Sequence, residues 1–144
     1  MRNYIKILRT KFKKYQIDGY VIPKNDDYFT EYSKLNRLEV ISNFSGSAGL
    51  AIILKNKNYL FTDGRYTIQS QIECGKNFKI IGIEKLINCN LFKNLTLGID
   101  PNLFTYKQIN KFFLNVFLEV HQQILKPCYQ SNLLDKIYSL KRKL

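Results

Sequence analysis

The chain has 144 residues, the length of one domain, and 45% of them are hydrophobic, which is typical of a globular protein. No apolar run approaches the roughly 20 residues of a membrane-spanning helix, so we expect no membrane contact. The net charge of +12 invites a nucleic-acid function, but only five of the 23 basic residues are arginines, and the lysines are scattered. Arginine is the residue that most often makes bidentate hydrogen bonds to bases and phosphates, so this pattern argues against a specific nucleic-acid interface.

The first predicted elements are a helix, a strand and a second, short helix. Apolar residues at steps of three and four predict a helix over Arg2–Tyr15, with lysines and arginines on its opposite face. A short buried strand follows over 20–22 and is expected to stop at Pro23. A short helical piece over 37–42 then leads to Asn43, a residue that tolerates a left-handed backbone.

The centre of the chain is predicted to be a β-hairpin. The apolar run 50–54 and the run 59–61 are separated by four polar residues, 55–58, which is the pattern of two strands and a turn. Both runs are nearly continuous, so we expect strands that are buried on both faces at the centre of a sheet. The Gly-rich entry Ser45-Gly46-Ser47-Ala48-Gly49 lets the backbone approach a neighbouring element closely.

The rest of the chain continues the alternation of helix and strand. We predict helices over 66–73, with Gly75 as C-cap, over 106–116, with Thr105 as N-cap, and over 131–140. Strands are predicted over 78–83, 95–99 and 118–120. A short helix or loop is predicted over 84–92. This order predicts an α/β fold with a mixed β-sheet, covered on both faces by helices, in a single domain over residues 1–144.

The sequence offers few residues for metal or covalent chemistry. Cys74, Cys89 and Cys128 have no motif spacing, and His121 is the single histidine. We therefore expect unpaired thiols in a reducing compartment, a cytoplasmic location, no bound metal and no cofactor in this chain. The basic N-terminus has no uninterrupted apolar segment or small-residue cleavage site, so we do not expect a secretory signal.

Several segments together resemble a known family. FSGSAGLAIIL (44–54) followed by TDGRYTIQ (62–69) resembles the N-terminal, creatinase-like domain of Xaa-Pro aminopeptidases (aminopeptidase P). The match extends upstream to IDGYVIP (17–23) and to Asp26 and Glu31, and downstream to LGIDP (97–101) and NLLDKI (132–137). The resemblance implies the ribonuclease H-like mixed sheet of creatinase N-terminal domains.

The resemblance also implies that this chain and the catalytic site belong to different domains. In the family, peptide hydrolysis belongs to a separate C-terminal domain, where carboxylates and a histidine hold two divalent metal ions. We therefore expect this chain to be a non-catalytic domain without aminopeptidase activity of its own. The implied partners are a second copy in a homodimer or a separately encoded catalytic fragment. A basic binding module for nucleic acid or an acidic protein partner is the alternative function.

The candidate site residues follow from the same motif. In the intact family enzyme the arginine of the DGRY motif, here Arg65, is implied to lie near the substrate entrance of the partner subunit. The other substrate-entrance candidates are Asp63, Tyr66, Asp26 and Glu31. A planar, permanently charged guanidinium suits the binding of a peptide's carboxylate. The competing interpretation is that Arg65 pairs with Asp63 and fixes the corner after the strand.

Overall fold

The computed structural model describes residues 2–25, 36–87, 89–113 and 116–120. The helices in these ranges are α1 (Arg2–Tyr15), α2 (Arg37–Ser42), α3 (Thr67–Cys74) and α4 (Tyr106–Phe112). The strands are β1 (Gly19–Pro23), β2 (Gly49–Leu54), β3 (Asn58–Thr62), β4 (Lys79–Gly82), β5 (Thr96–Ile99) and β6 (Phe117–Val120). They form one mixed sheet in the order β4-β3-β2-β1-β5-β6, which confirms the predicted fold class.

The predicted hairpin lies inside the sheet. β2 pairs with β3 on one side and with β1 on the other, both antiparallel, while β3–β4, β1–β5 and β5–β6 are parallel. β2 ends at Leu54 and β3 begins at Asn58, which leaves a turn of residues 55–57, one residue shorter than predicted. The pairs Gly49–Thr62 and Thr62–Gly82 mark the opposite end of the sheet, where β3 and β4 end and β2 begins.

Pro23 belongs to β1, although we predicted that the strand stops there. It is the last residue of β1 and lies opposite Leu50. Proline lacks the N–H that an inner strand normally donates to a neighbour. It is tolerated here because β5 pairs with β1 only at Gly19 and Tyr20, at the other end of the strand.

Each face of the sheet carries its own hydrophobic core, as expected for a central hairpin buried on both sides. On one face, helices α1, α2 and α3 cover the sheet, with Leu8, Leu38 and Phe44 fully buried. On the other face, α4 and short 3-10 helices over 83–86, 90–92 and 101–103 contribute to a second core, which includes Phe61 and Phe92. The two aromatic rings meet edge to face with their centroids 5.9 Å apart.

The helix ends follow the local sequence. Asn43 adopts a left-handed conformation (φ 64°) after α2, and Gly75 ends α3 with a φ of 57°, both as predicted. Thr105 forms the predicted cap of α4 through a capping box with Gln108. α4 ends at Phe112, earlier than predicted, because Phe113 leaves the helix and packs against Phe104 in the core.

Other predictions differ in detail or fall elsewhere. The short helix or loop predicted over 84–92 corresponds, in the described residues, to the 3-10 helices Ile83–Leu86 and Asn90–Phe92. The helix predicted over 131–140 lies outside the described residues. None of the helices that the structure describes combines the length and apolarity needed to cross a membrane.

Candidate functional site

Residues Asp63–Tyr66, which we call the Arg65 corner, turn the chain sharply between β3 and α3. Asp63 is extended (φ −66°, ψ 148°) and caps a 3-10 turn over Gly64–Tyr66. Its carboxylate accepts a hydrogen bond of 2.9 Å from the backbone N–H of Arg65. The N–H of Tyr66 donates to the Asp63 carbonyl over the same distance, 2.9 Å. An aspartate in this place satisfies the N–H groups that a helix start leaves unpaired, so the corner forms from its own sequence.

The Arg65 guanidinium folds back onto the same carboxylate. Its Nε lies 3.1 Å from Asp63 Oδ1, and its Nη2 lies 3.4 Å from Asp63 Oδ2. Hydrogen bonds from Arg65 keep the pKa of Asp63 below its usual value; the bond from the Arg65 backbone N–H contributes most, and the bond from its side chain contributes next. Both side chains stay in solvent, with exposed fractions of 72% for Arg65 and 40% for Asp63. Exposed ion pairs contribute little to stability, so the pairing mainly restricts where the guanidinium points.

Tyr66 connects the corner to the core. The Arg65 guanidinium carbon lies 5.4 Å from the centre of the Tyr66 ring, within the range of a cation–π contact. The ring packs edge to face on buried Phe44, with centroids 5.8 Å apart. The Tyr66 hydroxyl is 2.7 Å from Ser47 Oγ in the Gly-rich segment. The Phe44 ring in turn lies where a Cβ on Gly46 would stand, which explains the glycine at that position.

A second polar network joins the Gly-rich segment to α3. The Glu73 carboxylate accepts hydrogen bonds from Ser45 N (2.8 Å), Ser45 Oγ (2.7 Å) and Gln69 Nε2 (3.0 Å). Partial burial raises the pKa of Glu73, but the hydrogen bonds from Ser45 and Gln69 outweigh it and leave the pKa below its usual value. Two independent contacts, Tyr66–Ser47 and Glu73–Ser45, thus hold residues 45–47 against the corner and its helix.

The structure brings together three of the five predicted site residues. Asp63, Arg65 and Tyr66 are neighbours in one turn, and Asp63 caps that turn. Asp26 and Glu31 lie outside the described residues. Sequence reasoning missed Ser47 and Glu73, since it used the Gly-rich segment only as a backbone feature. Gln69 and Glu73 are four positions apart, one helical turn on α3, and this spacing could have predicted the contact between them in the second network.

The described residues do not form a metal centre. No group of three or more histidine, cysteine, aspartate or glutamate side chains converges within them, so the donor set of a dinuclear site is not found in this part of the chain. Cys74 is a buried thiol whose pKa burial raises to about 11, which makes it a poor ligand or nucleophile at neutral pH. His121 and Cys128 lie outside the described residues.

Comparison with known proteins identifies the family. The sequence model of the creatinase/prolidase N-terminal domain family matches residues 5–116 of this chain. Aminopeptidase P1 from Lotus japonicus is 30% identical over 96% of this chain and 22% of its own length. A probable Xaa-Pro aminopeptidase P from Laccaria bicolor is 39% identical over 67% of this chain and 16% of its own length. The chain therefore spans about a fifth of the length of the curated relatives it matches.

Solved structures support the same fold. The X-prolyl aminopeptidase of Caenorhabditis elegans, described as a cytosolic enzyme with a di-nuclear active site, superimposes with a TM-score of 0.74 at 20% identity, over 90% of this chain and 25% of that one. The N-terminal domain of the cytoplasmic peptidase PepQ from Mycobacterium tuberculosis gives 0.66 at 16% identity, over 87% of this chain and 97% of that domain. At these identities the likeness establishes the fold alone.

Proposed function

Because the chain belongs to the creatinase/prolidase N-terminal domain family, we propose that it is the non-catalytic N-terminal part of an Xaa-Pro aminopeptidase-like assembly. The catalytic half of that assembly hydrolyses the bond between a peptide's N-terminal residue and a following proline. The two divalent metal ions of that chemistry belong to the catalytic half. This chain shapes the substrate entrance and the contact between subunits, and the purified chain alone releases no amino acid from an Xaa-Pro peptide.

The observation that carries this proposal is the geometry of the Arg65 corner. Its guanidinium is exposed at the end of β3, yet Asp63 and the Tyr66 ring limit its orientation. A side chain that is already oriented loses less conformational entropy when it binds a peptide's carboxylate or carbonyl group. Arg65 therefore serves as a substrate-entrance residue, and Asp63 and Tyr66 serve as its positioning residues.

The outer face of α3 is the surface where the catalytic half docks. Ile68 and Ile72 stand one helical turn apart and are 74% and 77% exposed. They follow directly after the corner, so a subunit that places substrate near Arg65 also covers them. Burying each of the two isoleucines contributes roughly 1.5–3 kcal/mol of free energy, which is enough to stabilise a protein–protein contact on this face. A second copy of the chain on the same face is the competing arrangement, and it would give a homodimer.

A cytoplasmic location fits this assembly. Cys74 and Cys89 are free thiols in the described part of the chain, as in proteins of a reducing compartment.

The test is a pull-down with the tagged chain from its native cell extract, followed by a cleavage assay on an Xaa-Pro peptide with added Mn²⁺. We expect a metallopeptidase fragment to co-purify and the eluate to cleave the peptide, while the purified chain does not. The Ile68→Ser, Ile72→Ser double variant should recover less of the fragment, whereas Lys107→Ala, on α4, should recover as much as the wild type. Cleavage by the purified chain would contradict the proposal, and so would an eluate without activity.

A further inference from the structure

A group of lysines gathers at the end of the sheet opposite to the Arg65 corner. Lys57 lies in the hairpin turn, Lys76 in the 3-10 turn after α3, and Lys79 at the first position of β4. The parallel pairing of β3 with β4 places Tyr59 beside Lys79 and so brings the two segments together. Asn58 Nδ2 donates a 2.9 Å hydrogen bond to the carbonyl of Asn77, which holds the hairpin turn against the 3-10 turn.

Between these segments lies an open groove of about 290 Å³, which we call the lysine groove. Its lining residues are Asn56, Lys57, Asn58, Tyr59, Lys76, Asn77 and Lys79. No carboxylate is among them, and the three ammonium groups make no ion pair or hydrogen bond with any residue in the described part of the chain. Lys55, in the same hairpin turn, differs because its ammonium lies 2.8 Å from Asp18. The groove therefore concentrates positive charge that the described protein does not neutralise.

We propose that the lysine groove binds a compact anion that carries several phosphate groups. Three ammonium groups around one small volume attract a multiply charged ion more strongly than dispersed lysines do, because each charge adds to the same local potential. Asparagine amides at the groove can donate further hydrogen bonds to phosphate oxygens. The volume lies at the lower end of small-molecule sites, which fits a short polyphosphate.

Two features of the groove disfavour single-stranded nucleic acid as the ligand. Sites for unpaired strands combine positive charge with exposed aromatic faces on which bases stack. The one aromatic residue that lines the groove, Tyr59, is only 5% exposed and packs edge to face on Phe92 inside the core. The groove also contains no arginine, the residue that most often reads base edges.

This site is separate from the proposed function. The lysine groove lies where β3 and β4 begin, and the Arg65 corner lies where β3 ends, so neither site requires the other. A failure to bind anions would leave the aminopeptidase proposal intact.

The test is isothermal titration calorimetry of the full chain with inorganic tripolyphosphate at low ionic strength. The variant Lys57→Gln, Lys76→Gln, Lys79→Gln removes the groove charges. The control Lys6→Gln, Lys85→Gln, Lys107→Gln removes three charges from exposed lysines that do not line the groove. We expect the groove variant to weaken binding at least about tenfold and the control less than about threefold, with both effects shrinking as salt screens the charges. Circular dichroism checks that both variants fold.

A second measurement locates the ligand. In two-dimensional ¹H–¹⁵N spectra, tripolyphosphate should shift the amide signals of Lys57 and of residues 76–79 more than that of Lys107. Equal loss in the two triple variants, or no binding by the wild type, would overturn the proposal. Tighter binding of a single-stranded oligonucleotide than of tripolyphosphate through the same lysines would also overturn it, in favour of a nucleic-acid surface.

Discussion

At the Arg65 corner the guanidinium pairs with Asp63, and on the adjoining helix α3 Glu73 accepts three hydrogen bonds. At the lysine groove, by contrast, three ammonium groups have no partner among the described residues. One end of the sheet holds its charges in fixed positions, and the other end accumulates charge of one sign. With 23 basic and 11 acidic residues, the protein cannot pair every lysine. Substitutions at the corner should therefore change stability and geometry, and substitutions at the groove should change salt-sensitive binding.

The largest expected effect is at the packing under the corner. Phe44 is fully buried and supports the Tyr66 ring, so Phe44→Ala should lower the free energy of unfolding by about 3–5 kcal/mol. Urea unfolding followed by circular dichroism measures this change. Ile68→Ala, at a side chain that is 74% exposed, is the control and should change stability by less than about 0.5 kcal/mol. A loss below about 1 kcal/mol for Phe44→Ala would show that the corner does not rest on this ring.

The next effect concerns the backbone that leads from α3 to the groove. Gly75 has a φ of 57° and a ψ of −148°, a region that is almost restricted to glycine, so Gly75→Ala should cost about 1–3 kcal/mol. Gly64, in the corner, has no positive φ and no atom within 4 Å of the position of a Cβ, so Gly64→Ala is the matched control. Equal stability of the two variants in thermal unfolding would contradict the strain assigned to Gly75.

A smaller effect is expected from the contact between Tyr66 and Ser47. Tyr66→Phe and Ser47→Ala each remove one partner of a 2.7 Å hydrogen bond and should each cost about 1 kcal/mol. Because both variants break the same contact, the double variant should cost little more than either single one. Additive losses in this double-mutant cycle would mean that the two side chains act independently.

The smallest effect is the pH dependence of the Glu73 network. The folded pKa of Glu73 lies below its usual 4.5, so its stabilising contribution is present above the unfolded pKa and is lost as the pH falls through the folded pKa. Glu73→Gln should therefore lose about 0.5–1 kcal/mol relative to wild type at pH 7 and nothing at the acidic limit, below the folded pKa. Unfolding curves at a series of pH values measure the difference, and a constant difference would contradict the role assigned to the carboxylate.

The features that sequence predicted best depend on local chemistry. The hairpin and the caps at Gly75 and Thr105 are confirmed, since each follows from residues within a few positions of one another. The shortened α4 was not predictable, because Phe113 leaves the helix to join a core built from distant segments.

The lysine groove could not be found from sequence for the same reason. Lys57 and Lys79 are separated by 22 positions and meet only through the parallel pairing of β3 with β4. In the sequence these lysines belong to a scattered background, which we interpreted as an argument against a specific nucleic-acid interface. Asp26 and Glu31 remain predictions, since they lie outside the described residues.

The most direct test of the proposed function is the steady-state kinetics of the pulled-down assembly on an Xaa-Pro peptide, with Arg65→Ala, Arg65→Lys and the control Lys107→Ala. If Arg65 holds the substrate at the entrance, Arg65→Ala should lower kcat/KM about tenfold or more, mostly through KM, with partial rescue in Arg65→Lys and no change in Lys107→Ala. Wild-type kcat/KM in Arg65→Ala would contradict the account and reduce the corner to a structural turn.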